Sequence, residues 1–454
     1  MEMKHNTDKK YFSMPLIVLF ATMSVAFLQI QTIFTFPLVA MWIALAAGKL
    51  ISNLPFACRK FPLIREKLSQ WGEKTAQNSR AKGVLQTFVT WNFGSQVAIY
   101  LYTILLVIFK VTESRFLSTN IMTFINGLSA VSILYLFGKR GVNVSIAALC
   151  LAWIISLVRV FVAPAFDSFW KNLELHDISF GAGYILLYYV FCHKRWNAFH
   201  ITCCSIVVLL ILLSFKRIGL AALGLTIILW MILRYIKKET NRRKILFWGG
   251  IAAICICYLF VAMIKEGWLI AILNAMGIHT MGRNYYYEAL ASHFQFSPLF
   301  LGLGRNASAT LFTTDYAFMR VGNVHSDILR MYAECGFILF GLWLAVYWIA
   351  LPKAIDKKYG YRAMEFFLLC TVYTFVVYAT DNTELYLVNQ YFYMLMPMHV
   401  ILSNDPTPNM LEKQLIAWYG KINERIANRK AARAATRDMQ TSEDVLSNGS
   451  DAGE

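Results

Sequence analysis

The stretch NVHSDILRMYAECGFILFGLWLAVYWIAL, residues 323–351, joins a polar segment to a long apolar run. A histidine, two acids and an arginine precede an apolar segment that begins at Phe337. A helix that crosses a bilayer needs about 20 mostly apolar residues. The stretch therefore predicts a membrane helix with titratable side chains at its entrance.

Apolar runs of this kind recur along the whole chain, which has 454 residues and is 58% hydrophobic and 15% aromatic. This composition excludes an ordinary soluble enzyme and predicts an all-α polytopic membrane protein with about twelve spans. We expect the spans at residues 12–29, 33–51, 88–109, 120–138, 142–163, 178–193, 199–215, 218–234, 245–264, 333–352, 363–380 and 387–403.

The charge distribution orients these spans, because Lys and Arg gather on the cytoplasmic side of membrane proteins. With the N- and C-termini inside, the cytoplasmic segments and their flanking positions hold 32 of the 43 Lys and Arg and 15 of the 26 Asp and Glu. The net charge of +17 then lies entirely on the cytoplasmic side. Charge placed in this way indicates topology and argues against nucleic-acid binding.

The runs divide the chain into five parts. Residues 1–264 hold about nine spans, 265–332 form one long external loop, and 333–404 hold about three more spans. Residues 405–437 have the pattern of a basic amphipathic helix on the cytoplasmic membrane surface, or of a helix that binds a partner, and the acidic segment 438–454 is predicted to be disordered. The long loop contains helical and apolar patterns, so we expect it to fold over the mouth of the bundle and to carry function.

The titratable residues of the opening stretch fall into two groups. If a helix starts near residue 325, Asp327, Arg330 and Glu334 lie on one face, where they either neutralise one another or bind sugar hydroxyls. His325 points elsewhere and lies in the first turn, where the helix dipole favours an anion. His325 is a candidate for catalysis, and an ordinary interfacial histidine is the alternative.

Basic residues at the predicted outer side form a second signal. Arg159 lies within a span, where an arginine costs at least about 2.5–3.5 kcal/mol, so it marks a site or snorkels to the surface. Lys216 and Arg217 occupy an external turn against the topology rule, and Arg283 and Arg305 bracket the folded part of the long loop. Guanidinium groups that converge there would suit a lipid-linked phosphate or pyrophosphate.

Other kinds of site are disfavoured by the sequence. The external segments have no acidic cluster such as DxD to hold a divalent metal on a nucleotide sugar, and no cysteine set has metal-ligand spacing. The segment GLGRNAS, residues 302–308, lacks the third glycine and the preceding strand of a dinucleotide site. We therefore expect neither a metal nor a cofactor.

The order of motifs resembles that of the bacterial O-antigen and capsular polysaccharide polymerases (Wzy) and the O-antigen ligases (WaaL). It comprises SFKRIGLAAL at 214–223, GRNYYYEAL at 282–290, SPLFLGLG at 297–304, and His325-Ser326 followed by nine residues and Gly336. The resemblance covers about 215–345. Ala221, where the ligase pattern prefers leucine, and Leu339, where a small or hydroxyl residue is common, favour the polymerase over the ligase.

The resemblance implies a metal-independent, inverting glycosyltransferase of the GT-C type in the bacterial plasma membrane. Its donor would be an undecaprenyl-pyrophosphate-linked oligosaccharide, joined into O-antigen, capsular or exopolysaccharide on the outer face. A flippase and a chain-length co-polymerase are the partners that such a polymerase uses. The alternatives are an O-antigen ligase, a transporter or flippase of the same lipid-linked sugars, and a structural membrane scaffold.

The resemblance also implies roles for individual residues. His325 would be the base, because imidazole can accept a proton at neutral pH. Arg217 and Arg283 match the family arginines in position and would hold the pyrophosphate, whose developing charge needs compensation. Supporting residues in this hypothesis are Lys216, Arg159 and Arg305 for the pyrophosphate, and Asp327, Arg330, Glu334 and Tyr286 around the base.

Overall fold

The computed structural model describes residues 14–28, 32–52, 79–113, 121–162, 176–214, 216–277, 282–319, 323–403 and 407–449. Every regular element in these ranges is helical, which confirms the predicted helical fold class. Within the described ranges, five helices are long and apolar enough to cross a membrane, and four shorter helices are apolar as well. The protein is therefore a multi-pass helical membrane protein, while twelve spans and an external loop stay predictions.

The helices are numbered in chain order. They are α1 (Met14–Leu28), α2 (Thr32–Ser52), α3 (Ser79–Phe88), α4 (Gly94–Ile108), α5 (Ile121–Val162), α6 (His176–Phe191), α7 (Ala198–Leu213), α8 (Arg217–Tyr235), α9 (Glu239–Lys265), α10 (Trp268–Ala275), α11 (Arg283–Ala291), α12 (Ala307–Thr313), α13 (Asp327–Ala345), α14 (Leu351–Tyr359), α15 (Tyr361–Tyr378), α16 (Leu387–Ser403) and α17 (Met410–Gly449). Short π-helical segments at Val89–Phe93 and Val346–Ala350 connect α3 to α4 and α13 to α14.

The long helix α5 contains a break at Gly138, whose φ is 57°. Residues with a side chain rarely adopt this backbone conformation, whereas glycine adopts it readily. The exposed Lys139 and Arg140 follow at once. The break therefore coincides with the boundary that the sequence predicts between the spans at 120–138 and 142–163.

The bundle is held together by its C-terminal helices. α16 packs against α5 and α6, α15 packs against α8, and α1 and α2 pack on α5. Aromatic side chains fill the centre, where the ring of Tyr184 lies 4.9 Å from that of Tyr373 and 5.8 Å from that of Tyr393. All three side chains are fully buried, so they form a dense layer across the middle of the bundle.

The helix that carries the opening stretch, α13, is broken at Gly336, whose φ is 73°. The break frees backbone groups that an intact helix would pair internally. Residues 300–304 lie against it and satisfy them: the N–H of Leu303 donates to the carbonyl of Ala333 at 2.8 Å, and the N–H of Phe337 donates to the carbonyl of Phe300 at 2.9 Å. The SPLFLGLG motif is thus bound to the helix backbone.

Two glycines make this approach possible. A Cβ atom at Gly302 would lie 2.5 Å from the backbone nitrogen of Gly336, and a Cβ atom at Gly336 would lie 2.3 Å from the carbonyl carbon of Leu301. Such distances exclude any side chain at either position. Gly336, eleven positions after His325 in the sequence motif, therefore marks the place where residues 300–304 dock on α13.

The start of α13 differs from the sequence prediction. The helix begins at Asp327, and Ser326 is its N-cap, because the Ser326 hydroxyl accepts a hydrogen bond from the N–H of Leu329. A serine at this position satisfies one of the free N–H groups of the first turn. His325 therefore precedes the helix, whereas the sequence pattern predicts that it lies in the first turn.

The C-terminal segment also differs. The helix α17 continues to Gly449, so most of the predicted disordered tail is helical, and residues 450–454 lie outside the described part. The segment AARAATRD at 431–438 is rich in alanine and arginine, both of which favour helix strongly. Local helix propensity therefore outweighs the acidic composition that follows.

Replacing Gly336 by alanine should destabilise the protein by about 2 kcal/mol or more, because the methyl group meets backbone atoms and the positive φ becomes strained. Thermal unfolding in detergent would measure the loss. Gly249→Ala is the matched control, since Gly249 lies within α9 with no atom near its missing side chain. Equal unfolding temperatures for both variants would contradict the docking of residues 300–304 on α13.

Candidate active site

His325 stands out by its backbone conformation. Its φ is 54°, in the left-handed region that a non-glycine residue seldom adopts. Such strain persists only where the surroundings enforce it, and it is concentrated at functional sites. The side chain is 38% exposed, so a substrate can reach it.

The imidazole of His325 faces the carboxylate of Asp381, with 4.0 Å between Nδ1 and Oδ1. Asp381 lies in the connection between α15 and α16 and is buried. Its Oδ1 atom accepts hydrogen bonds from the N–H of Asn382 at 2.8 Å and from the hydroxyl of Tyr386 at 3.1 Å. The carboxylate is thereby fixed beside the histidine.

The environment keeps Asp381 ionised. Burial by itself would raise the pKa of this carboxyl group, but His325 and the positive charge of Lys216 outweigh burial, so the pKa is lowered from its usual value. A carboxylate beside a histidine stabilises the protonated imidazole and orients the neutral one. The pair has the arrangement of a base and its orienting acid.

Two tyrosines of α11 lie beside this pair. The hydroxyl of Tyr287 is 3.4 Å from the carbonyl oxygens of His325 and Ala379. Burial raises the pKa of Tyr287, so its hydroxyl stays a donor. The ring of Tyr286 lies 5.9 Å from that of His325. The motif GRNYYYEAL thus supplies one wall of the site.

The predicted cations fall into two sets. Lys216 immediately precedes α8, Arg217 begins it, and Arg283 begins α11. Lys216 acts electrostatically on Asp381, and Arg283 acts on Tyr287. Arg217 is exposed. The side chain of Arg159 lies outside the described residues.

Arg305 does not lie where it could hold a pyrophosphate, the role that the family resemblance implies for it. It is one of the largest fully buried side chains. Its guanidinium lies 3.0 Å from Glu334 and 3.3 Å from Glu384. An arginine held by two carboxylates is unavailable to an external pyrophosphate, so Arg305 is a structural residue here.

The other charged residues of the opening stretch belong to the same buried cluster. Arg330 pairs with Asp327 at 2.7 Å, lies 3.6 Å from Glu334 and also contacts Glu384. Of the two sequence-based interpretations, mutual neutralisation therefore describes these three side chains. We call Arg305, Asp327, Arg330, Glu334 and Glu384 the ion network.

Neutral groups complete the ion network. The amide of Gln96 donates to Glu384 at 3.0 Å, and the hydroxyl of Ser308 donates to Glu334 at 2.9 Å. The N–H of Glu384 donates to Asp327 at 2.7 Å. The arginines lower the pKa of Glu384, although burial opposes them. Buried charges are tolerated only with such dense pairing.

Among the described residues, no group of three or more His, Cys, Asp and Glu side chains is placed to hold a metal ion. The acids near His325 are instead engaged with arginines, a histidine and backbone N–H groups. The chemistry that this arrangement offers directly is proton transfer at His325 and charge compensation by the cations around it.

Residues 202–344 match the Wzy_C family model, which is described as O-antigen ligase. The matched segment covers 143 of the 454 residues and is similar to O-antigen ligases. This confirms the resemblance found in the sequence motifs, and it supports a membrane glycan-processing function. No curated protein and no solved structure is significantly similar to the chain.

The segment that matches this family model, residues 202–344, contains His325, Lys216, Arg217, Arg283 and Tyr287, but the candidate site extends beyond it. Asp381 and Glu384 lie in the connection TDNTE, residues 380–384, and Gln96 lies in α4. Sequence reasoning missed these residues. The signal that could have revealed the acids is their presence in a short polar connection between two apolar runs.

Replacing Arg305 by methionine should destabilise the protein by about 3–5 kcal/mol, because Glu334 and Glu384 lose their buried partner. Thermal unfolding in detergent would measure this loss. The double variant Arg305→Met/Glu384→Gln should recover part of it, since one uncompensated carboxylate is gone. Arg425→Met, on the exposed face of α17, is the control. A double variant less stable than the single one would contradict the charge-pairing role.

Proposed function

We propose that the protein is a membrane glycosyltransferase that polymerises undecaprenyl-pyrophosphate-linked repeat units on the outer face of the bacterial plasma membrane. The observation that carries the proposal is the strained, accessible His325 beside the ionised Asp381. The domain match and the motif order point to glycan transfer.

In this proposal His325 is the general base. Its Nδ1 atom faces Asp381, which favours the tautomer that carries the proton on Nδ1 and leaves Nε2 free. Nε2 takes the proton of the acceptor hydroxyl as its oxygen forms a bond to the anomeric carbon of the donor. The bond from that carbon to the pyrophosphate oxygen breaks, and the lipid pyrophosphate leaves with the electron pair. Asp381 stabilises the imidazolium that results.

The departing pyrophosphate gains negative charge, which Arg217, Arg283 and Lys216 would compensate. Arg217 and Arg283 each occupy the first position of a helix, where the helix dipole adds positive potential. Tyr286 and Tyr287 would pack against the sugar or hold the histidine. Arg159 is assigned to pyrophosphate binding by the family resemblance alone. The ion network is assigned to positioning the residues of the candidate active site.

A ligase that moves a finished glycan to another acceptor shares this chemistry, and the matching family model carries the ligase description. Ala221 and Leu339 are the sequence features that favour the polymerase. Purified protein supplied with lipid-linked repeat units alone distinguishes the two. A ladder of products supports the polymerase, whereas product that forms only with a second acceptor supports the ligase.

A transporter of the same lipid-linked sugars would need a path through the bundle. The buried aromatic layer of Tyr184, Tyr373 and Tyr393 occupies the middle of the described helices. Tyr184 is further hydrogen-bonded to Thr374 and Asn389. This packing favours chemistry at one end of the bundle over passage through it.

His325→Ala should abolish polymer formation in the purified reaction, because a general base contributes about 10²–10⁴-fold to the rate. Asp381→Asn should lower kcat by about 10²-fold with the KM for donor little changed, and should alter the pH profile, since it acts through His325. His293→Ala is the matched control, because His293 packs on Tyr316 and not on Asp381. Normal ladders from folded His325→Ala would remove this residue from the base role.

Arg217→Lys keeps the charge but loses the bidentate donor pair, so the KM for the lipid-linked donor should rise about tenfold or more while kcat changes less. Initial rates over a range of donor concentrations would show it. Arg140→Lys, an exposed change after the break in α5, should leave the KM unchanged. If both variants behave like the unmodified protein, Arg217 does not bind the donor.

A further inference from the structure

A polar cavity lies at the other end of the bundle from His325. It encloses about 410 Å³ and is bounded by the turn after α6, the last turns of α8 and α16, the first turn of α15, and Lys139 beside the break in α5. Glu365, which lines this cavity, and Tyr378, whose carbonyl accepts a hydrogen bond from Ser326, are 13 positions apart on α15. At the rise of an α-helix this is about 20 Å, so the cavity and the His325 site are distinct.

The lining of this cavity is strongly basic. Its charged residues are Lys139, Lys194, Arg195, Arg234, Arg362 and, as the one acid among the described lining residues, Glu365. His193 adds no charge at neutral pH, because burial and the neighbouring His200 lower its pKa to about 4. A cavity walled by an excess of cations attracts anions.

Among the described residues, the acids beside this cavity are paired with its two arginines. Glu365 pairs with Arg234, and Glu412, behind the wall, pairs with Arg234 at 3.1 Å and with Arg362 at 2.8 Å. These two glutamates balance the two arginines, so Lys139 and Arg195 add positive charge to the lining beyond that balance.

The cavity is built into the fold and is not a patch of surface charge. The side chain of Arg234 is only 5% exposed, it stacks over Trp230 at 5.8 Å, and its Nη1 atom has no hydrogen-bond partner. A buried guanidinium nitrogen without a partner is costly. Hydroxyl groups of Tyr188, Ser403 and Thr407 lie in the same lining, where Ser403 donates to the carbonyl of His399 and Thr407 accepts from Lys194.

We propose that this cavity binds a phosphate group. Fork-shaped guanidinium groups, lysines and hydroxyls together suit phosphate oxygens, and the aromatic wall of Phe191, Trp230 and Phe366 suits an apolar part of the same ligand. The volume is within the range of small-molecule sites. The phosphate comes either from the headgroup of an anionic phospholipid or from a soluble phosphate ester, and basic pockets between membrane helices are known to hold the former.

The test uses the full-length protein in detergent after removal of bound lipid. Binding of phosphatidylglycerol, with phosphatidylcholine as the uncharged reference, is followed by native mass spectrometry, and stabilisation by ATP or inorganic pyrophosphate is followed by thermal unfolding. The test variant is Lys139→Gln/Arg195→Gln, which removes two exposed lining cations. Lys237→Gln/Lys238→Gln removes two exposed cations that follow α8 outside the cavity.

We expect the unmodified protein and the Lys237/Lys238 control to bind an anionic probe equally, and the Lys139/Arg195 variant to bind it at least tenfold more weakly. Selective binding of phosphatidylglycerol assigns the site to a lipid headgroup, and stabilisation by ATP or pyrophosphate assigns it to a soluble phosphate. Equal binding by all three proteins, or binding of none of the anionic probes, overturns the proposal. Transfer activity is not the readout, so the result is independent of the proposed function.

Discussion

Five charged side chains are buried together where α13 begins, and the position of the candidate active site depends on their pairing. Arg305 comes from the segment after the SPLFLGLG motif, Asp327, Arg330 and Glu334 come from α13, and Glu384 comes from the connection between α15 and α16. Each of these segments would expose an uncompensated charge to a low-dielectric interior if it moved away. The ion network therefore fixes three distant parts of the chain at one end of the bundle.

The backbone contact at the two glycines has the same effect by a different means. Residues 300–304 reach the carbonyl groups of α13 only because Gly302 and Gly336 lack side chains. This docking places the guanidinium of Arg305 3.0 Å from Glu334 and 3.3 Å from Glu384. Close backbone approach and charge pairing are thus two parts of one arrangement, which explains why a long loop can be ordered without a strand or a disulfide among its described residues.

Much of the fold is predictable from sequence because the signals are local. Apolar runs indicate helices, and Gly138 ends one of the predicted spans, whereas the break at Gly336 lies inside a span that the sequence predicts as continuous. The site is predictable only in part, for the same reason. His325 and the helix-starting cations belong to short motifs, whereas Asp381 joins His325 from 56 residues away, across the three helices α13, α14 and α15. Burial is equally non-local, so the sequence motifs place Arg305 among the pyrophosphate-binding cations although its side chain is buried.

The network and the histidine pair are connected through the backbone, and this connection has a mechanistic consequence. The N–H of Asp327 donates to the carbonyl of Asp381 at 3.2 Å, and the N–H of Glu384 donates to the side chain of Asp327 at 2.7 Å. Asp381 is therefore held by residues that are themselves held by buried charges. In contrast, His325 is strained, partly exposed and 4.0 Å from the carboxylate, which is longer than a hydrogen bond. Catalytic hydrogen bonds are often long before substrate binds and shorten afterwards. In the proposed mechanism the acid is fixed, so shortening this distance to a hydrogen bond falls to the imidazole of His325.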